Sequence, residues 1–256
     1  MTTKYNFPVE LTAIRTRYKG TAIAIPDRKA VLRTDTLIPL GIVSTKYELL
    51  KHADVINGFR DALKDQHYNE TIKLAKNGAQ LYATYSLPEH KVEVRKNDVI
   101  SLQFIVKNSY DGTNALHITL GAFRVVCTNG MIIGKKFFTF SQKHIGSEAG
   151  VVDSSVLKDK VNMIATQFAK TLPIMQDMAE TPVTIDPDEL FDHKKIKIPK
   201  YLLAFAAEEY RNAQDLSLWG FYNSLTYAIT HHMKRESPSA SIWYGQVAWK
   251  EATKNL

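Results

Sequence analysis

At 256 residues and 45% hydrophobic content, the chain can bury a substantial core and is too apolar to be disordered. Its single cysteine excludes an internal disulfide and any cysteine-rich zinc ribbon, and the sequence has no run of about 18 apolar residues that would cross a membrane as a helix. A formal net charge of +7 favours a polyanionic partner such as nucleic acid.

The start, Met1 to Asn6, is too polar to open a secretory signal, so a cytoplasmic protein is expected. Short β-prone pieces follow at Thr21 to Ile25, Ala30 to Arg33 and Leu40 to Ser44, separated by Pro26-Asp27 and by Asp35 to Pro39. Leu50, Val55, Phe59, Ala62 and Leu63 then fall on one face of a helix predicted over Tyr47 to Leu63. Thr71 to Leu74 and Gln80 to Ser86 flank Asn77-Gly78, a dipeptide suited to the positive φ of a tight hairpin. Lys91 to Arg95 reads as a short charged strand.

The strongest pattern runs from Ile100 to Gly134. Ile100, Leu102, Phe104 and Val106 alternate with polar residues, Leu116, Ile118 and Leu120 do the same, and Asp111-Gly112 supplies the turn between them. After Gly121 the apolar phase shifts to Phe123, Val125 and Cys127, which predicts a bulge or bend that re-aims Arg124. Cys127 to Gly130 is a second turn signal.

From Asp153 the period becomes helical through Leu157, Val161, Ile164, Phe168, Leu172 and Met175, with a kink or stop near Pro173. Tyr201 to Ala213, Leu216 to Lys234 and Ile242 to Ala252 repeat it. Strands first and helices afterwards indicate an α+β fold, an N-terminal antiparallel sheet with one inserted helix, covered by C-terminal helices. One domain over 1–256 is expected, sheet-rich over 1–145 and helical over 151–256, with Thr181 to Pro199 as its loosest connection.

Few patterns carry catalytic chemistry. Asp186-Pro187-Asp188-Glu189 could gather carboxylates, but Asp at the cap followed by Pro is a helix start. Cys127 sits on an apolar phase and suits a buried thiol, although His144 or His117 could serve it as a base. His231 and His232 are adjacent and point about 100° apart on a helix, so they cannot share a metal as an i, i+4 pair does. Neither a phosphate-binding glycine loop nor a nucleophile elbow occurs. No catalytic residue, metal or cofactor is assigned, and an enzyme is the less favoured reading.

Two groups point to binding. Trp219, Asn223, Thr226 and Thr230 share one helix face and form a polar seam, for which Asn108, Asp111, Arg124 and Asn129 are the natural partners. This seam is either a structural clamp or a ligand site. Lys135, Lys136, Phe138, Phe140, Lys143 and His144 interleave cations with rings, a composition that can hold phosphates and stack bases of a single strand. Basic sites at Arg15, Arg17, Arg28-Lys29 and Lys194 to Lys197 flank them in sequence.

Asn108 to Gly112, Arg124 to Asn129, Lys143 to Ser147 and Phe221 to Thr226 with His231, together with Gly41 to Leu50, resemble the phage/plasmid-like protein family built on a widespread domain of unknown function. The resemblance spans about Arg28 to His232 and implies a phage or plasmid context, with the host cytoplasm as location, and no established reaction. The sequence therefore predicts a nucleic-acid-binding protein, with single-stranded DNA favoured, assisting recombination or replication. The alternatives are an inhibitor that docks on a host protein through Trp243, Tyr244 and Trp249, and a metal-dependent nuclease. Homo-oligomers are compatible with each.

Overall fold

The computed structural model describes residues 4–124, 129–131, 139–142, 170–234 and 238–254, with single positions 144, 155, 158, 159, 162, 163, 166 and 168. It is α+β, with strands first and helices afterwards. Among the described residues the strands are β1 (Val9–Tyr18), β2 (Thr21–Arg33), β3 (Ile38–Ser44), β4 (Asn69–Ala75), β5 (Gln80–Arg95), β6 (Asp98–Ser109), β7 (Leu116–Arg124), β8 (Asn129–Met131) and β9 (Thr139–Gln142). The helices are α1 (His52–Ala62), α2 (Leu172–Glu180), α3 (Pro187–Leu190), α4 (Lys200–Asn212), α5 (Leu218–His231) and α6 (Pro238–Ala252).

The strands form a three-stranded sheet in the order β1-β2-β3 and a six-stranded sheet in the order β4-β5-β6-β7-β8, with β9 also paired to β7. By compactness the chain divides into two units. The first holds Met1–Tyr85, Ile105–Thr119 and Thr139–Asn162, and the second holds Ser86–Phe104, Leu120–Phe138 and Met163–Leu256, so the boundaries fall within β5, β6 and β7.

In the first unit, Phe7, Val9, Val31, Leu40, Val43, Tyr47, Ala79 and Tyr110 form one apolar core. Val55, Ile56, Phe59 and Ala62 bury the apolar face of α1, as their three-and-four spacing requires. In the second unit α5 is central and apolar on most of its circumference, buried from Trp219 to Thr226 and again at Ala228 and Ile229. It packs against α2, α4, α6 and β8.

The sequence reading needs amendment in several places. β1 is a ten-residue strand where none was expected, and β2 runs unbroken through Pro26-Asp27. The register explains this, because Ala13 pairs with Lys29 and the next residue, Ile14, pairs with Ile25, so Pro26 to Arg28 are accommodated as a bulge. Lys91 to Arg95 is the end of the long β5 rather than a separate strand. The turn at Asn77 uses three consecutive positive φ values, at Lys76, Asn77 and Gly78. The phase shift after Gly121 coincides with a change of partner, since β7 pairs with β9 up to Thr119 and with β8 from Ala122. Thr171 separates α2 from the helical positions before it, and Pro173 sits in the first turn of α2 where its missing N–H is harmless.

Candidate nucleic-acid interface

β3 ends at Ser44 opposite Arg28, whereas β1 and β2 continue past it as a two-stranded ribbon. Five cross-strand pairs build it: Ile14 with Ile25, Arg15 with Ala24, Thr16 with Ile23, Arg17 with Ala22 and Tyr18 with Thr21. Lys19 (φ 46) and Gly20 (φ 85) close it with the two positive φ values of a type I′ turn, whose twist matches that of the flanking strands. Every residue from Arg15 to Ala24 is exposed, so both faces of the ribbon are open.

Those faces differ. Pairs directly opposite share a face, which puts Arg15 and Arg17 together above the small Ala22 and Ala24. The other face carries Ile14, Thr16, Tyr18, Thr21, Ile23 and Ile25, with Tyr18 62% and Ile23 46% exposed. Lys19 Nζ lies 5.5 Å from the centre of the Tyr18 ring. Between Leu11 and Pro26 the only charged side chains are Arg15, Arg17 and Lys19, all positive.

A second feature of the first unit is a buried polar cluster around His52. Its Nε2 is 3.0 Å from the Gly78 carbonyl, which only accepts, and its Nδ1 is 3.0 Å from the Asn108 amide nitrogen, which only donates. The ring is therefore neutral with its proton on Nε2. Burial drives its pKa down to about 3. Asn108 also donates to the Leu50 carbonyl at 2.9 Å, and Tyr47 Oη donates to the Ser109 carbonyl at 2.7 Å.

Asp111 organises the turn after β6. It accepts from Thr113 N at 3.0 Å and from Gln80 Nε2 at 2.9 Å, and pairs with Lys76 Nζ at 3.1 Å. Asn108 and Asp111 thus make these hydrogen bonds within their own unit. His144, read as a nucleic-acid contact, is instead buried with its ring stacked on Tyr47 at 4.9 Å. Burial holds its pKa below the ordinary imidazole value, against a smaller opposing contribution from the Glu48 backbone.

In the second unit Trp219 Nε1 donates to the buried Asp98 carboxylate at 2.7 Å. Arg95 lies 3.8 Å from Asp98 and also pairs with Asp215. Asp215 in turn accepts from Ser217 Oγ at 2.7 Å, and Ser217 caps α5 through Gly220 N at 3.1 Å. This chain of contacts fixes the start of α5. Thr226 Oγ1 bonds back to the Asn223 carbonyl at 2.9 Å, but both polar atoms of the Asn223 side chain are buried and find no partner among the described residues. Thr230 is exposed, so the polar row is buried only as far as Thr226. Asn129 and Arg124 pair with each other as the last rung of β7 and β8.

Lys135, Lys136, Phe138, Lys143 and Cys127 lie outside the described residues, while Phe140 pairs with Ile118 in the β9–β7 ladder. Asp186 does cap α3, accepting from Asp188 N at 2.8 Å. Among the described residues no group of three or more His, Cys, Asp or Glu side chains could hold a metal. Trp249 does not belong to an exposed patch: it is 4% exposed and packs edge-on against Tyr222. Of the described residues, no helix is long and apolar enough to cross a membrane.

Sequence reading had marked Arg15 and Arg17 as basic sites but missed the ribbon that presents them. The signal was there in Lys19-Gly20 between two β-prone runs, although Lys is an unusual residue for a positive φ.

The geometry defines an α+β protein that carries a bare cationic ribbon and two buried polar clusters. The profile of a domain of unknown function, DUF932, matches residues 39–251, and the chain belongs to that family. The match begins inside β3, so β1 and β2 precede the matched segment. No solved structure matches the chain.

Proposed function

We propose that this protein binds nucleic acid, with single strands as its favoured ligand, and serves recombination or replication on a phage or plasmid. The observation that carries the reading is the β1–β2 ribbon, where Arg15, Arg17 and Lys19 are exposed with no acidic residue between Leu11 and Pro26. Exposed cations beside an anionic polymer displace its condensed counterions, which is the main source of affinity for phosphates. The exposed Tyr18 ring offers a face on which an unpaired base can stack. Lys194 and Lys197 are further exposed cations, on a loop of the second unit.

A second reading, docking on a host protein, has narrower support in Trp243, 48% exposed and packed against Tyr244 at 5.2 Å. The two separate in one experiment, fluorescence anisotropy of labelled single-stranded and duplex DNA and RNA near physiological salt. Nucleic-acid binding predicts saturable affinity with single strands preferred. Absence of binding to all four ligands would overturn it in favour of the docking reading.

A further inference from the structure

We infer that the β1–β2 ribbon also enters the major groove of a duplex and reads guanines spaced two base steps apart. This rests on the nucleic-acid reading above and adds a second mode of contact to it.

Shape comes first. The major groove is about 12 Å wide and admits a two-stranded β-ribbon, whereas a wider sheet does not fit. Here the third strand stops at Ser44, opposite Arg28, so the ribbon beyond it is two strands wide. Its five pairs span roughly 17 Å at about 3.4 Å per residue. Arg15 to Ala24 are exposed on both faces, so either face can meet a groove wall or floor.

Chemistry comes next. Arg15 and Arg17 stand on one face with Ala22 and Ala24 opposite them. Small neighbours let that face approach a groove floor closely while two guanidinium groups project from it. A guanidinium can donate two hydrogen bonds to guanine O6 and N7, the commonest specific contact in this groove. Same-face residues on a strand are about 6.8 Å apart, close to two base steps at about 3.4 Å each. Lys29, paired with Ala13 at the base of the ribbon, and Lys19 at its tip bracket the arginines and can reach the flanking phosphates.

The test uses a 20-base-pair duplex of alternating guanine and cytosine, which repeats guanine every second position on each strand, and the same duplex with 7-deazaguanine. That replacement removes N7 from the major groove and leaves every phosphate in place. The full chain is expected to bind the modified duplex about tenfold or more weakly. A doubled Arg15→Ala, Arg17→Ala variant loses every donor that could reach guanine O6 and N7 from this face, so it is expected to bind both duplexes equally, and more weakly than the wild type binds the unmodified one. Equal affinity of the wild type for both duplexes, or a variant that still discriminates between them, would overturn the inference. So would binding to single strands with none to the duplex, an outcome that leaves the function itself standing.

Discussion

The ring of His52 lies 3.9 Å from that of Tyr110 and within 20° of parallel, and the Tyr110 hydroxyl accepts from the His52 backbone N–H at 2.7 Å. The start of α1 is thereby tied to the end of β6 through an imidazole that must stay neutral. In the unfolded chain that ring titrates near 6.5, but in the folded one it titrates near 3. Below pH 6.5 the unfolded chain therefore binds the extra proton, and stability falls as pH is lowered from about 6.5 towards about 3.

At pH 5 this one group should cost about 2 kcal/mol relative to pH 7, and His144, shifted in the same direction, adds to the loss. Asp35, Asp111 and Asp215 have lowered pKa values, so their contributions disappear only below the ordinary carboxylate range and are silent over this interval. Urea melts at pH 7 and pH 5 check the prediction. Equal stability at the two pH values would contradict the buried neutral ring.

Gly41→Ala should destabilise the first unit by about 1 to 3 kcal/mol. A Cβ at that position would stand 2.4 Å from Asp111 Cα and 2.7 Å from the Tyr110 carbonyl, both backbone atoms that cannot step aside. Gly112→Val should cost a similar amount, about 1 to 3 kcal/mol, for a different reason: its φ of 72° strains a β-branched residue, although a Cβ there would meet Val43 only at an ordinary contact distance of 3.6 Å. Thermal melts of both variants are the measurement, and a wild-type melting temperature for Gly41→Ala would show that the close approach is absent in solution.

Asn223→Leu is expected to leave stability unchanged or to raise it. Its amide is buried without a hydrogen-bond partner among the described residues, so replacing it removes a desolvation cost and breaks no bond. Trp219→Phe should behave oppositely, losing about 1 to 3 kcal/mol because the buried Asp98 carboxylate is left one donor short. The two melts together separate the clamp that fixes α5 from the unpaired amide beside it. A large loss from Asn223→Leu would mean that the amide does find partners.

The turn at Asp111-Gly112 and the helices after Leu172 were legible because each rests on a local pattern that the tertiary structure does not override. Alternation on both sides of a glycine fixes a hairpin, and three-and-four spacing fixes a buried helix face. β1 was not legible, because past Ala13 both its faces meet solvent and no apolar alternation is selected. Pro26 misled for a related reason: a proline is compatible with a long strand where a bulge takes the ladder's missing bond.

The partners of the polar seam were beyond reach for a deeper reason, since pairing Trp219 with Asp98 depends on how β5, β6 and α5 come together across 121 positions of chain. Composition along Lys135 to His144 suggested a run of nucleic-acid contacts, but His144 is buried at its end. Side-chain type alone does not say whether a residue is exposed.

The most direct test of nucleic-acid binding through the ribbon is the salt dependence of affinity for a single-stranded oligonucleotide, compared between the wild type and an Arg15→Ala, Arg17→Ala double variant. For single strands the logarithm of the binding constant falls with the logarithm of salt by about 0.7 for each phosphate neutralised. Removing two contacts should therefore flatten the slope by about 1.4, with the melting temperature unchanged because both side chains are exposed. An identical slope in the two proteins would contradict the assignment of the ribbon as the interface.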